Sequence, residues 1–274
     1  MARHTNVLKL LPLLICVQMQ MQAHANGETK FNGVINSLPG GMVYPTPVGI
    51  LYPGFNIAAG VNAAALPWSA VKNTSFQAMY SPATGSGQDD ALFSSLATTN
   101  GMSGFGGGVL TTLDPTSNHV SASAFAGAGV KMERVSAGIS VRDTDLSVPT
   151  NPSVDVSMMY HSPKSGPSIG LVLYHVDSSA QLDFGLGFSR EHVFSVEVNF
   201  LLPQLDQLTF QNLKVTTLFS STVYAGIFGL YLQMVSSTDT NATVGILVDL
   251  SKHVSAIIEY TTPNKLNAGF TLNF

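Results

Sequence analysis

Residues 264–274 read "NKLNAGFTLNF", and the two faces of that stretch are unlike. Asn264, Leu266, Ala268, Phe270, Leu272 and Phe274 take the even positions, whereas Lys265, Asn267, Gly269, Thr271 and Asn273 take the odd ones. A period of two is the mark of a β-strand with one apolar and one polar face. Phe274, the last apolar residue, stands where a strand in water would fray. The apolar face therefore needs a cover.

The same alternation recurs upstream. Val120, Ala122, Ala124, Ala126, Ala128 and Val130 share one face of "HVSASAFAGAGVK". Val154, Val156, Met158 and Tyr160 stand against Ser153, Asp155 and Ser157, and Leu182, Phe184, Leu186 and Phe188 against Gln181, Asp183 and Gly185. Phe194, Val196, Val198, Phe200 and Leu202 oppose Ser195, Glu197 and Asn199. Ala242, Val244, Ile246, Val248 and Leu250 oppose Asn241, Thr243, Gly245 and Asp249. Turn signals such as "DPTSN", "DTDLSVPTNP", "PKSGP" and "TTPN" separate these segments. Roughly a dozen strands of about 10 residues follow Ser103, the repeat of a transmembrane β-barrel. A secreted β-sandwich also alternates, but its outward face is rich in Lys and Glu. Here the polar face carries Gly, Ser, Thr, Asn and scattered carboxylates, which suits a lumen.

Composition agrees with a barrel in lipid. Only 10% of the 274 residues are charged, against about 25% in a soluble protein. No apolar run of about 20 residues stands outside the N-terminus, so a helical span is not expected. A net charge of -4 without a basic stripe argues against a nucleic-acid partner. Arg3 and Lys9, the apolar "LLPLLICV" and small residues at Ala23 and Ala25 read as a secretory signal over residues 1–25. Cys16 lies inside it, which leaves no disulfide or thiolate metal site beyond, and Ile15 before Cys16 argues against a lipoprotein.

In a closed barrel the last strand pairs on both edges and turns its apolar face to lipid, so Phe274 is covered. A final aromatic preceded by alternate apolar residues also resembles the C-terminal signature of bacterial outer-membrane barrels, which their assembly machinery reads. The expected location is the bacterial outer membrane, with its lipid and that machinery as partners. With this end in the periplasm, "LLPQLDQL" and "DTDLSVPTNP" fall outside and the tight "KMER", "SRE" and "LSK" turns inside, the usual asymmetry.

Residues 26–72 read differently. "SLPGGMVYPTPVGILYPGFN" and "IAAGVNAAALPWSAV" do not alternate, and charge is nearly absent between Phe31 and Val71. That is no solvated linker; it is expected inside the barrel of residues 73–274, as a plug or hatch. Here the sequence resembles the FadL-type family of long-chain fatty acid and hydrocarbon transporters. "AAGVNAAALPW" presents Asn62, Ala64, Ala65 and Leu66 where that family carries Asn-Pro-Ala-Ala/Gly-Leu, with Ala63 in place of the proline. The resemblance implies a barrel of about 14 strands, an N-terminal hatch, and passive uptake of small hydrophobic molecules such as fatty acids. Phe55, Ile57, Asn62, Leu66 and Trp68 would contribute to the path.

Counting strands directly, with "TSFQAMY" first, gives about 13, and bacterial barrels are even-numbered. "DDALFSSLATT" is either the missing strand or a short helix; about 14 strands are expected, with 12 as the next count.

Asp155, Asp183, Glu197, Asp249 and Glu259 fall on the polar side of their strands, as do Arg142 and Lys265. A hydrogen-bonded network that rigidifies the interior is the preferred reading; a charged constriction biased towards cations is the functional one. "GFGGGV" at 104–109 lacks the Gly-Lys-Ser/Thr of a phosphate loop and reads as glycine lining the wall. His119, His161, His175, His192 and His253 have no metal-ligand spacing, and no serine is singled out as a nucleophile. No enzyme activity, metal or cofactor is expected. Small residues in "VYAGIFGLYLQ" point to an apolar lumen patch. The alternative function is a general porin or structural protein conducting small hydrophilic solutes.

Overall fold

The computed structural model describes residues 50–53, 55–68, 74–82, 90–113, 120–143, 146, 152–162, 164–177, 180–191, 193–202, 205, 215–236, 240–251, 253–262 and 265–274. The expected signal segment and the hatch residues before Ile50 lie outside these, as do the side chains of Phe55 and Lys265 and the whole of His119 and His192.

Alternation becomes strand in every segment quoted above. The first seven strands are β1 (Thr74–Ser81), β2 (Asp90–Thr99), β3 (Ser103–Leu113), β4 (Val120–Met132), β5 (Val135–Asp143), β6 (Ser153–His161) and β7 (Ser165–Tyr174). The rest are β8 (Gln181–Arg190), β9 (Phe194–Leu202), β10 (Thr216–Ala225), β11 (Phe228–Ser236), β12 (Thr240–Ser251), β13 (Val254–Thr261) and β14 (Lys265–Asn273). Each pairs antiparallel with its neighbours in sequence, and β1 pairs with β14 from Ser75↔Asn273 to Tyr80↔Ala268, which closes the barrel at 14 strands. The Phe274 amide donates to the Thr74 carbonyl at 2.8 Å across that seam. "DDALFSSLATT" is thus a strand, β2, and supplies the one missing from the direct count.

The two faces differ as the pleat requires. Outward positions expose large apolar side chains, Leu92 at 53%, Phe105 at 58%, Ile139 at 52% and Ile258 at 59% among them. Among the described residues, outward charges stand only at strand ends, at Asp90, Asp143 and Arg190. A continuous apolar band of this kind is unsuited to water and matches the lipid-facing surface of a membrane barrel. Phe76, Phe105, Tyr160, Phe188 and Phe228 lie near one rim of the band, and Tyr80, Phe200, Phe219 and Tyr260 near the other. Turns 133–134 and 226–227 are tight and lie at the same rim; at the second, Gly226 takes a φ of 66°. The connections from Asp143 to Ser153 and from Leu202 to Thr216 lie at the opposite rim.

Inside stand α1 (Phe55–Val61) and a 3-10 helix (Ala63–Trp68), preceded by residues 50–53, which bend at 50–52. Ile50, Leu51, Ala58, Ala59, Val61, Ala63, Ala64 and Leu66 are buried in the main apolar cluster, together with inward Phe93, Phe125, Met159, Val172 and Tyr174. The core of this barrel is therefore built between its inner wall and residues 50–68.

Candidate functional site

Asn62 folds the inner segment on itself. Its Nδ2 donates to the Ile50 carbonyl at 2.7 Å, and its Oδ1 accepts from the Ala64 amide at 3.1 Å. An Asn at the break between two short helices gives the Ala64 amide an acceptor within its own segment. The small residues after it let the 3-10 helix approach the wall.

Glycines on the wall make the same allowance from the other side. A Cβ on Gly104 would meet the Leu66 Cβ at 2.6 Å, and one on Gly170 would meet the Leu51 Cδ2 at 2.7 Å. A Cβ on Gly127, Gly129 or Gly138 would overlap the backbone of Ala59, Ala63 or Ala64. Wall and segment are in backbone contact, which only residues without side chains permit.

Hydrogen bonds fix the contact. The Ala64 amide donates to Ser157 Oγ at 3.1 Å, and Ser136 Oγ donates to the Ala64 carbonyl at 2.6 Å. Trp68 Nε1 donates to Ser136 Oγ at 2.7 Å, Tyr174 OH to the Val61 carbonyl at 2.9 Å and Arg142 Nη2 to the Gly60 carbonyl at 2.7 Å. The Tyr52 amide donates to Glu197 Oε2 at 2.9 Å. These bonds reach β5, β6, β7 and β9.

The inward charges sit in separate environments rather than in one ring. Arg142 and Asp155, each 1% exposed, form an ion pair across β5 and β6, with Arg142 Nε 2.8 Å from Asp155 Oδ2. Asp155 Oδ1 also accepts the His175 amide at 2.9 Å. His175, just beyond β7, is held below the usual imidazole value by burial and by the Arg142 guanidinium. Glu197 accepts Asn199 Nδ2 at 2.8 Å besides the Tyr52 amide, and Asp183 is buried on the neighbouring strand. Glu259 is buried on β13 with Asn267 Nδ2 3.4 Å from its Oε2. Asp249 is exposed at the short-turn rim and accepts Ser255 Oγ at 2.7 Å.

Of the expected hatch residues, Leu66 is fully buried, Asn62 is the internal brace described above, and Ile57 and Trp68 are half-buried against the core. Trp68 lies 5.0 Å from the His161 ring, with Lys131 Nζ 4.4 Å from its own ring centre. The sequence reading missed Ser136, Ser157 and Tyr174 as seats for the segment, and Tyr52 as a residue seated on the wall. The available signal was glycine recurring at inward positions of β4, β5 and β7, which a wall with nothing behind it would not need.

The stretch "VYAGIFGLYLQ" corrects one expectation. The turn at 226–227 splits it between β10 and β11, and the strand period sends Val223, Ala225, Phe228, Leu230 and Leu232 outward. The lumen side carries Tyr224, Gly229, Tyr231 and Gln233 instead of an apolar patch. Tyr224 lies over Gly229, whose Cβ would stand 3.3 Å from Cδ1 and Cε1 of the ring, and Tyr231 lies directly on Gly245 of β12. Among the inward side chains that solvent reaches are Ser220, Thr222, Tyr224, Tyr231 and Gln233; the carboxylates of Asp155, Asp183, Glu197 and Glu259 are not among them.

No family model matches the sequence, and no curated protein matches it. Among solved structures, the chain is similar to a triple mutant of the Rhodopseudomonas blastica porin at a TM-score of 0.42 and 10% identity, over 73% of this chain and 98% of that one. A second mutant of the same porin gives a TM-score of 0.43 at the same identity and coverage. Likeness at that distance carries no argument about cargo.

Proposed function

We propose that this protein is a passive channel of the bacterial outer membrane for small hydrophilic solutes, with residues 50–68 acting as a fixed plug that narrows its lumen. The observation that carries this reading is the division of the interior. Arg142, Asp155, Asp183, Glu197 and Glu259 are buried, several of them in bonds to one another or to residues 50–68, while the side chains of Ser220, Thr222 and Tyr224 on β10 remain accessible to solvent. An accessible surface of that chemistry favours uncharged polar solutes and confers little ion preference.

Hydrophobic cargo has less support. Of the apolar residues expected on such a path, Leu66 is consumed in packing on the wall together with Leu51 and Ala58, and only Ile57 and Trp68 among the described ones are half-buried. Of the inward cations that a fatty acid carboxylate could meet, Arg142 is committed to Asp155 and Lys131 stands over the Trp68 ring.

Conductance of the folded protein in planar lipid bilayers, paired with swelling of vesicles in small neutral solutes, tests the proposal. Steady ohmic steps and swelling are expected. Silence from inserted protein, joined to uptake of fatty acid, would replace this reading by the hydrophobic one.

A further inference from the structure

The two ends of the inner segment meet at one residue of the wall. His161, the last residue of β6, stands at the short-turn rim between Tyr52 and Trp68, the last residue of the 3-10 helix. Its ring centre lies 6.1 Å from that of Tyr52 and 5.0 Å from that of Trp68, steeply inclined to both. Tyr52 OH donates to Ser168 Oγ of β7 at 3.0 Å, and the same oxygen lies 2.7 Å from His161 Nδ1. Residues 53–67 contain no ionisable side chain. Any response of the segment to acid therefore lies in the groups that hold its ends and in the wall.

The direction of these bonds fixes the state of the imidazole. Ser168 Oγ accepts from Tyr52, and its own hydrogen is then directed to His161 Nδ1, which accepts only while the ring is neutral. This assigns the ring proton to Nε2. A second proton on Nδ1 turns the acceptor into a donor, so that Ser168 Oγ faces two donors and its own hydrogen is displaced. The charge that reaches the ring is that of Lys131 on β4, whose Nζ lies 4.4 Å from the Trp68 ring centre. Among the described residues no carboxylate forms an ion pair with His161. Arg134, whose carbonyl accepts the His161 amide, extends its guanidinium to Tyr160 OH, and Glu197 holds the Tyr52 amide rather than the ring. A charged His161 is thus poorly accommodated while Tyr52 and Trp68 are seated.

We infer that His161 is the centre of an acid-released clasp that holds both ends of residues 50–68 on the wall, so that the channel widens as the medium is acidified. The inference rests on the reading of residues 50–68 as a plug and adds its regulation. The proton binds the open clasp in preference to the closed one, so acid favours opening. The change spans about pH 8 to 5, where an imidazole titrates.

The test uses the whole folded protein and two readings across that range. Acrylamide quenching of Trp68, the one tryptophan, reports release of the segment in detergent, and conductance in planar bilayers reports the width of the path. Quenching and conductance should both rise on acidification, with the closed-to-open ratio falling about tenfold. His161→Phe keeps a ring between Tyr52 and Trp68 but takes no proton, and should make both readings flat. Ser168→Ala removes the shared oxygen and should loosen Trp68 already at neutral pH, which gives a second variant should the first not fold. Heat-modifiable mobility on gels, read at each pH, shows that the barrel stays closed. Quenching that does not change with pH in the native chain overturns the clasp and leaves the channel standing. An acid response that persists in His161→Phe overturns His161 as its centre and points to Glu197. Quenching that rises while conductance stays constant overturns the widening. Absence of conductance at every pH overturns the channel reading, and Trp68 then decides the clasp alone: release in acid that His161→Phe abolishes supports it, and any other result refutes it.

Discussion

Arg142 and Asp155 show what a charge inside this barrel does. Each is shielded from water, each satisfies the other, and the guanidinium has a donor left for the Gly60 carbonyl. Breaking such a pair leaves an uncompensated buried charge, whereas replacing both partners with apolar groups is far milder. Arg142→Met should therefore destabilise the folded barrel by about 3–5 kcal/mol in urea titrations in lipid, and Arg142→Met with Asp155→Leu by clearly less. Gly138 makes the complementary point about shape. Its Cβ would overlap Ala63 and Ala64, so Gly138→Ala should unseat the 3-10 helix while the strands still pair. Trp68 is the one tryptophan of the chain and reports directly on this: its emission should move to the red and become more accessible to acrylamide. Unchanged emission would mean that the wall can yield at that rung.

At the scale of elements, strands were legible because their signal is local. A half-buried strand writes its two faces into alternate residues, and β4, β6, β8, β9, β12 and β14 could be read directly. β2 was ambiguous for a physical reason: Ala91, Phe93 and Ala97 face inward against the apolar cluster, so both of its faces carry apolar residues and the period of two is blurred. The seat of residues 50–68 was not legible. Its bonds join Tyr52 to Glu197 and Val61 to Tyr174, partners far apart in sequence with no pattern linking them. The polar "VYAGIFGLYLQ" surface was misjudged because its small residues were taken as lumen lining, whereas the turn at 226–227 splits the stretch and reverses which residues face in. Deleting residues 50–68 should raise single-channel conductance while heat-modifiable mobility on gels shows a closed barrel. Equal conductance with and without them would remove their part in narrowing the lumen.

For the whole molecule, the distribution of charge sets how ions are expected to move through it. Asp183 and Glu197 are 5% and 1% exposed, so neither should contribute strongly to the potential along a water-filled path. Reversal potentials in a salt gradient should show weak selectivity, and Asp183→Asn should alter them little. A large change would put that carboxylate in the conducting path. The seam between β1 and β14 carries a further consequence, one that concerns time. A nascent chain lacking β14 has no partner for β1 and leaves the β13 edge bare, and bare edges join edges of other chains. Until the last strand is made, every intermediate is a potential aggregate. This chain must therefore be held unfolded throughout its synthesis, and the clock of its folding starts from its final strand.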